Sequence, residues 1–99
     1  MTNITKLTDN EVINKLDQIE QWKFDGSKLN REFVFSDFNE AFRFMALVAL
    51  EAEKTDHHPE WSNIYNRVNV SLISHDVNGI TDKDFALAST MNEIASILI

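Results

Sequence analysis

Cysteine is absent from the chain, which excludes both a disulfide framework and a thiolate metal site. Two glycines are too few for a glycine-rich phosphate-binding loop, and no Gly-x-Ser-x-Gly motif presents a nucleophilic serine. No segment approaches the ~18 consecutive apolar residues of a membrane span. The N-terminal segment Met1–Lys6 lacks the basic and apolar regions of a secretion signal. We therefore expect a cytoplasmic protein with no membrane partner.

Basic residues are also scarce. Lysine and arginine together number 9 against 16 aspartates and glutamates, which gives a formal net charge of −7. This charge disfavours non-specific binding to nucleic acid or to an anionic membrane. A neutral small molecule or another protein is the expected partner, and no direct contact with nucleic acid is expected.

The remaining composition is that of an ordinary globular protein. Of 99 residues, 43% are hydrophobic and 10% are aromatic. This is enough for one modest core, and the length is below that at which chains usually divide. We expect one domain over residues 1–99.

The first part of the chain predicts a helix followed by a β-hairpin. Thr8–Glu11 has the capping-box spacing, and apolar residues then recur at helical spacing, so a helix is expected from about Asp9 to Ile19. Asp25–Gly26 separates two apolar or aromatic runs within Trp22–Phe35, which is typical of a hairpin turn.

The second helix is expected to be capped by Ser36 or Asp37 and carries two adjacent apolar stripes. We assign the first stripe to the core; it consists of Phe38, Phe42, Met45, Ala49 and Ala52. We assign the second stripe to the outer arc; it consists of Ala41, Phe44 and Val48. The combined arc is wider than one sheet contact needs. Two explanations stay open: an oligomer interface, or a helix that its own chain buries on both sides.

The second half of the chain predicts another hairpin and a last helix. Trp61–Tyr65 is a short aromatic and β-branched run, a turn is expected at Asn66–Arg67, and residues 68–75 alternate as a strand does. Thr81–Asp84 repeats the capping-box spacing. The predicted architecture is α+β in the order α-β-β-α-β-β-α, with a four-stranded antiparallel sheet from two hairpins and three helices packed on one face.

The histidines are the residues best suited to chemistry. Their ordinary pKa of ~6.5 places proton exchange near neutrality. His57 and His58 precede Pro59, and a residue before proline is displaced from helical geometry, so this pair marks a helix end. Successive side chains of an extended segment point to opposite sides, so one imidazole can face a ligand while the other is anchored. By alternation, His75 lies on the polar face at a strand end, where it could meet the pair.

Two interpretations of this cluster remain open from the residues alone. One is a proton-exchanging site. The other is a favourable charge at a helix C-terminus together with a solvated edge histidine. Glu53 lies one helical turn before His57 and could orient that imidazole if the helix continues so far.

The chain closely resembles the pterin-4a-carbinolamine dehydratase family over nearly all of residues 22–95. The segments that carry the resemblance are Glu53–Trp61, Asn63–Val68, Ser74–His75, Gly79–Asp84 and the upstream run Phe35–Met45. The resemblance implies a lyase that removes water from the 4a-hydroxytetrahydropterin left by an aromatic amino acid hydroxylase and so forms quinonoid dihydropterin. It implies no metal, and no cofactor is expected.

The same resemblance assigns roles to individual residues. It makes His57 and His75 the acid/base pair and His58 the residue that mainly binds substrate. The supporting positions are Glu53, Asp56, Pro59, Asp84 and Trp22, the last as an aromatic ring that could stack on the flat pterin. It also implies a homodimer or a homotetramer built as a dimer of dimers.

Animal members of the family double as dimerisation cofactors of a homeodomain activator, so a protein-binding role without required catalysis is the alternative function. The intact histidine trio favours the enzyme, because a binding module has no need of it. A generic metal-binding domain is less favoured, because the sequence has no helical His-x-x-x-His pair.

Overall fold

A computed structural model describes residues 5–99. Residues 1–4, which belong to the predicted domain and to the segment considered for a secretion signal, lie outside the described part. The order of elements confirms the predicted α-β-β-α-β-β-α architecture. The elements are α1 (Asp9–Lys15) with a 3-10 turn (Leu16–Gln18), β1 (Lys23–Phe24), β2 (Leu29–Val34), α2 (Phe38–Thr55), β3 (Glu60–Ile64), β4 (Arg67–Leu72) and α3 (Asp82–Leu98).

The four strands form one antiparallel sheet in the order β1-β2-β4-β3. The two hairpins are joined through β2 and β4, whose register runs from Leu29 opposite Leu72 to Val34 opposite Arg67. Since side chains alternate along a strand, one face is apolar and packs against the helices while the other is mostly polar. The core residues of these two strands are Leu29, Phe33, Val68, Val70 and Leu72.

Both predicted capping boxes are present. Thr8 and Glu11 exchange side-chain and backbone hydrogen bonds at the start of α1, and Thr81 and Asp84 do so at the start of α3. The first helix is shorter than predicted, because the α-helical turns end at Lys15 and a 3-10 turn completes the segment.

The first hairpin turn is held by the side chain of Asp25. Its carboxylate accepts hydrogen bonds from the backbone N–H of Ser27 at 2.8 Å and of Lys28 at 2.7 Å, and from Asn30 Nδ2 at 2.9 Å. These donors, the Lys28 N–H foremost, lower the pKa of Asp25. Gly26 follows with a φ of +95°, a conformation that glycine adopts without strain.

The second hairpin turns one residue earlier than predicted. Ile64 pairs with Arg67, so the turn is Tyr65–Asn66, with Tyr65 at a φ of +50°. Asn66 is instead tied to the end of β2: its Nδ2 donates to the Phe35 carbonyl at 2.9 Å, and the Phe35 N–H donates to the Asn66 carbonyl at 2.8 Å.

The assignment of the two stripes on α2 was wrong for most of their residues; of the stripe expected in the core, only Ala52 is buried and Met45 partly buried. Phe44 and Val48, expected on the outer arc, are fully buried, whereas Phe38 and Phe42, expected in the core, are about half exposed. The reason is the aromatic core below the helix: the Phe44 ring lies 4.6 Å from that of Phe33. That contact fixes the rotation of α2 about its axis.

The N-terminal segment is fastened to the loop between β4 and α3. The Leu7 N–H donates to the Ile80 carbonyl at 2.8 Å, and Ser74 and Gly79 form an isolated β-bridge across the loop. The Lys6 side chain packs so closely on Gly79 that a Cβ there would lie 2.5 Å from it. A larger residue at this position would therefore displace the flexible Lys6 side chain.

Within residues 5–99, none of the helices is sufficiently long and apolar to cross a lipid bilayer.

Candidate active site

The histidine pair lies directly after α2, as the proline rule predicted. Asp56 adopts the left-handed conformation, with φ 52° and ψ 43°, and closes the helix. The N–H of His57 still donates to the Ala52 carbonyl at 3.1 Å. His57 and His58 therefore occupy a fixed bend between α2 and β3.

His75 reaches the same region by a different route from the one predicted. Strand β4 ends at Leu72, and Ile73 and Ser74 are both buried, so the alternation that placed His75 on a polar face does not continue to it. His75 is exposed because it begins the turn of the β4–α3 loop.

The three histidines line one open pocket of about 160 Å³, together with Asp56, Ile73, Ser74, Asp76 and Lys83. The pocket lies where the end of α2, the β4–α3 loop and the first turn of α3 meet. Its lining brings two carboxylates and one ammonium group to the three imidazoles.

Each histidine has its own carboxylate partner. His57 Nε2 lies 2.6 Å from Asp84 Oδ1, His58 Nε2 lies 2.7 Å from Glu53 Oε1, and His75 Nε2 lies 3.3 Å from Glu60 Oε2. The exposed fraction of the imidazole rises along this series, from 11% through 55% to 70%. The site thus contains one sheltered pair and two solvated pairs.

The sheltered pair rests on a buried polar network. Asp84 is fully buried, and its Oδ2 accepts hydrogen bonds from Ser74 Oγ at 2.8 Å and from the Thr81 N–H at 2.9 Å. Ser74 Oγ and Thr81 Oγ1 are also 2.8 Å apart. A buried carboxylate is tolerated where hydrogen bonds satisfy both of its oxygens, and these contacts do so.

The solvated pair at His75 extends into the first hairpin. Lys28 Nζ donates to Glu60 Oε1 at 2.6 Å, so Glu60 bridges Lys28 and His75. The hydrogen bond from Lys28 is the main cause that lowers the pKa of Glu60, and the charge of His75 acts in the same direction. The negative charge beside His75 is therefore maintained at neutral pH.

Of the supporting residues predicted from the sequence, some lie at the pocket and others do not. Glu53 contacts His58 and not His57, because α2 ends before it reaches the histidine pair. Asp56 lines the pocket, while Pro59 and Trp22 do not. Trp22 is buried in the core, where its Nε1 donates to Asn92 Oδ1 at 2.8 Å and its ring meets Phe33 edge to face.

Six site residues were not assigned a role from the sequence: Glu60, Ile73, Ser74, Asp76, Thr81 and Lys83. Thr81 carried a signal, since the capping box that predicted α3 also binds the Asp84 carboxylate. Glu60 lay inside the histidine segment. Ser74 lay in a segment that carries the family resemblance, but its role could not be read from the sequence, because that role depends on a contact with the helix that follows.

Within the described range 5–99, no group of three or more His, Asp or Glu side chains is arranged to hold a metal ion. The imidazoles are instead each directed to a separate carboxylate.

A family model described as pterin 4 alpha carbinolamine dehydratase matches residues 5–94. The chain belongs to this family. The match includes all three histidines and the three carboxylates that contact them.

Relatives in this family match over most of their length. A protein of Chelativorans sp. named "Putative pterin-4-alpha-carbinolamine dehydratase" is 48% identical over 92% of this chain and 95% of its own. A protein of the same name from Nitrobacter winogradskyi is 61% identical over 68% of this chain and 66% of its own.

A solved structure has the same fold. The crystal structure of a "transcriptional coactivator/pterin dehydratase" from Brucella melitensis has a TM-score of 0.89 and 48% identity to this chain. The similarity covers 92% of this chain and 99% of that one.

Proposed function

We propose that this family member dehydrates a 4a-hydroxytetrahydropterin to the quinonoid dihydropterin and water. The observation that carries the proposal is the convergence of three imidazole–carboxylate pairs on one pocket, in a chain that belongs to the carbinolamine dehydratase family. Imidazole is the side chain best matched to proton transfer at neutral pH, since the ideal acid or base has a pKa near the working pH.

The proposed reaction breaks two bonds and forms one π bond. The C4a–O bond breaks as an acid delivers a proton to the departing hydroxyl, which leaves as water. A base removes the proton on N5, and the electron pair of that N–H bond forms the N5=C4a double bond. One proton is given and one is taken, so the enzyme returns to its starting charge.

The acid and the base are His57 and His75 in this proposal, and His58 mainly binds the substrate. Support comes from the differing surroundings of the imidazoles: His57 is sheltered on Asp84, whereas His75 is solvated on Glu60. Asp56 and Lys83 line the same pocket and contribute to substrate binding. Pro59 and Trp22 act through the fold, the first by fixing the bend after α2 and the second within the core.

The chain also self-associates in this proposal, as a homodimer or homotetramer. The outer apolar surface of α2, formed by Phe38, Phe42, Leu47 and Leu50, supplies the interface. The substrate comes from an aromatic amino acid hydroxylase. The cytoplasmic location and the single domain over residues 1–99 stay predictions.

A second candidate function is protein binding without required catalysis. The observation that favours it is the same outer apolar surface of α2, and the Brucella structure is described as a coactivator as well as a dehydratase. The two functions differ in their need for the imidazoles. A binding module would tolerate loss of the histidines, and the elimination would not.

A stopped-flow assay of 4a-hydroxytetrahydropterin dehydration tests the enzyme proposal. We expect His57→Ala and His75→Ala each to lower kcat by about 10²-fold or more, the usual contribution of a positioned acid or base. His58→Ala should mainly raise KM, because binding common to the ground and transition states leaves kcat nearly unchanged.

The stricter form of this test is the double variant His57→Ala/His75→Ala, since either histidine could partly replace the other. Asn14→Ala, an exposed change on α1, serves as the control for handling and stability. If the double variant keeps a native circular dichroism spectrum and the rate of the unmodified protein, the enzyme proposal is wrong and the protein-binding function takes its place.

A further inference from the structure

The hydroxyl groups of Ser74 and Thr81 form a buried pair behind the site. The two oxygens are 2.8 Å apart, and both residues are buried. Neither hydroxyl takes part in the proton transfers proposed above. Their common neighbour is the Asp84 carboxylate, which separates them from His57.

The hydrogen bonds around this pair can run in only one direction. Ser74 Oγ donates its single hydrogen to Asp84 Oδ2, so the hydrogen between the two hydroxyls must come from Thr81. Thr81 Oγ1 in turn accepts from the Lys83 N–H at 3.2 Å. The chain of donors therefore starts at the first turn of α3 and ends on Asp84.

Both oxygens of Asp84 have hydrogen-bond partners. Oδ2 receives the Ser74 hydroxyl and the Thr81 N–H, and Oδ1 lies 2.6 Å from His57 Nε2. Because the Asp84 carboxyl group already accepts the two hydrogen bonds at Oδ2, we take it as the acceptor of the whole network and assign the hydrogen shared with His57 to Nε2. A neutral imidazole with its hydrogen on Nε2 has its lone pair on Nδ1.

The other nitrogen of His57 is free to meet a ligand. Among residues 5–99, Nδ1 has no hydrogen-bond partner, and it is not among the fully buried polar atoms that lack one, so part of it is accessible. His57 lines the three-histidine pocket and also a smaller one of about 100 Å³ that it shares with Glu51, Thr55 and Lys83. Since Asp84 occupies Nε2, Nδ1 is the nitrogen of this imidazole that is left for a substrate.

We propose that Ser74 and Thr81 are positioning residues that act through Asp84 to hold His57 as the Nε2–H tautomer, with Nδ1 as the proton-exchanging atom. The assignment of Nδ1 to proton exchange rests on the proposed dehydratase function. The tautomer itself does not, and it can be measured without substrate.

The test is 15N NMR of the histidine rings in the whole chain, with the His57 signals assigned from their loss in His57→Gln. We expect the unmodified protein to show the Nε2–H tautomer. Ser74→Ala and Thr81→Val should each give a mixture of both tautomers, while the conservative variants Ser74→Thr and Thr81→Ser, which keep the hydroxyl, should retain the original form.

Thr81→Val removes both the cap of α3 and the proposed positioning of His57, so a control variant that removes only a helix cap is needed. Thr8 caps α1 through the same kind of box as Thr81 but lies in a different helix. Thr8→Val should therefore lower stability without changing the His57 tautomer. In the dehydration assay, Ser74→Ala and Thr81→Val should lower kcat about tenfold with little change in KM, as expected for a group that orients a catalytic residue.

Two results would overturn the proposal: the Nδ1–H tautomer in the unmodified protein, or an unchanged tautomer in both Ser74→Ala and Thr81→Val. If Ser74→Ala does not fold, the spectra of the unmodified protein and of Thr81→Val still decide. A third result separates the two proposals: the tautomers follow the expectation, but neither the unmodified protein nor any variant dehydrates the pterin. In that case the dehydratase function is wrong and the positioning of His57 by Ser74 and Thr81 stands.

Discussion

Burial separates the three histidine–carboxylate pairs of the site. The Asp84 side chain is inaccessible, whereas that of Glu53 is largely exposed. An exposed ion pair contributes about 0–1 kcal/mol to stability. Removing one partner of a buried pair costs about 3–5 kcal/mol, because the other partner is left without compensation. The same chemical change at the two carboxylates should therefore have different consequences.

We expect Asp84→Asn to lower the free energy of unfolding by about 2–4 kcal/mol, since the new NH2 group would face donors that the carboxylate accepts. Glu53→Gln should change it by less than about 0.5 kcal/mol. Urea unfolding followed by circular dichroism measures both. Equal losses in the two variants would contradict the distinction between a sheltered and a solvated pair.

Glu60 makes the site sensitive to acid. Its pKa is lowered below the ordinary value of 4.5, chiefly because Lys28 donates a hydrogen bond to it. A carboxyl whose pKa is lowered on folding stabilises the folded protein above its ordinary pKa, and this stabilisation is lost as the pH falls through the lowered value. Protonation should therefore release both Lys28 and His75.

We expect the unmodified protein to be more stable than Glu60→Gln at neutral pH, and the difference to disappear as the pH falls below the ordinary carboxyl value of 4.5. Urea unfolding at a series of pH values measures it. Glu93→Gln, an exposed change on α3, controls for loss of one negative charge. A stability difference that persists unchanged in acid would show that Glu60 acts through packing and not through its charge.

The predictability of the site differs from residue to residue. The histidines could be selected from the sequence because their chemistry is rare and Pro59 excludes a helix that continues through them. The partner of Glu53 could not be predicted from the sequence. Helical spacing directs the Glu53 side chain to His57 only if the helix continues to His57, and α2 ends at Thr55. That end depends on the left-handed conformation of Asp56, which an aspartate adopts only in some contexts.

Among the elements, α2 shows what the periodicity of apolar residues can and cannot predict. A wide apolar arc predicts a helix reliably, but it does not decide which side of the helix faces inwards. The answer depends on Phe33 in the facing sheet, whose position follows from strand pairing. Rotation of α2 is therefore a tertiary property, and both the core and the outer surface depend on it.

The first hairpin depends on one carboxylate at its turn. We expect Asp25→Ala to lower the free energy of unfolding by about 1 kcal/mol, since three hydrogen bonds to the turn are lost. Because folding lowers the pKa of Asp25, the difference from the unmodified protein should shrink as the pH falls through that lowered pKa.

Thermal or urea unfolding at neutral and acid pH measures this effect. Ser27→Ala is the matched control, because Ser27 contributes its backbone N–H to the turn and that group is kept. A loss in Ser27→Ala equal to that in Asp25→Ala would contradict the role given to the carboxylate.

At the scale of the whole molecule, the outer side of α2 leaves an apolar surface uncovered. Phe42 is 57% exposed and Leu50 66% exposed, and the Phe38 and Phe42 rings lie 5.9 Å apart. With 3.6 residues per turn, Phe42 and Leu50 project to the side opposite the buried Phe44 and Val48. Apolar side chains grouped in this way are typical of a contact surface.

We expect the unmodified protein to sediment as a dimer or tetramer and Phe42→Glu to sediment as smaller species with a native circular dichroism spectrum, because a charge buried in an interface is costly. Asn14→Glu adds the same charge on α1 and should leave the association unchanged. A monomer in the unmodified protein would exclude this surface as a self-association interface.

The order of the elements and the pairing of hairpins were predictable because caps, turns and alternation are local signals. The meeting of the three histidines at one pocket was less predictable from the sequence, since it requires the end of α2, the β4–α3 loop and the start of α3 to lie together. That meeting depends on Asp84, which serves as part of the α3 capping box and as the partner of His57. One residue thus links the start of a helix to the site.

The hydrogen bond from the Leu7 N–H to the Ile80 carbonyl connects a residue outside the pocket to the loop that carries His75. When that loop opens locally, this bond must break, and the Leu7 amide can then exchange its hydrogen for deuterium from the solvent. A ligand that binds only the closed loop divides the population of the open loop by a factor of one plus the ligand concentration over its Kd. Where opening of the loop, and not fraying of the N-terminal segment, limits this exchange, the rate at a single main-chain amide therefore reports occupancy of the pocket, with no label on the ligand and no turnover.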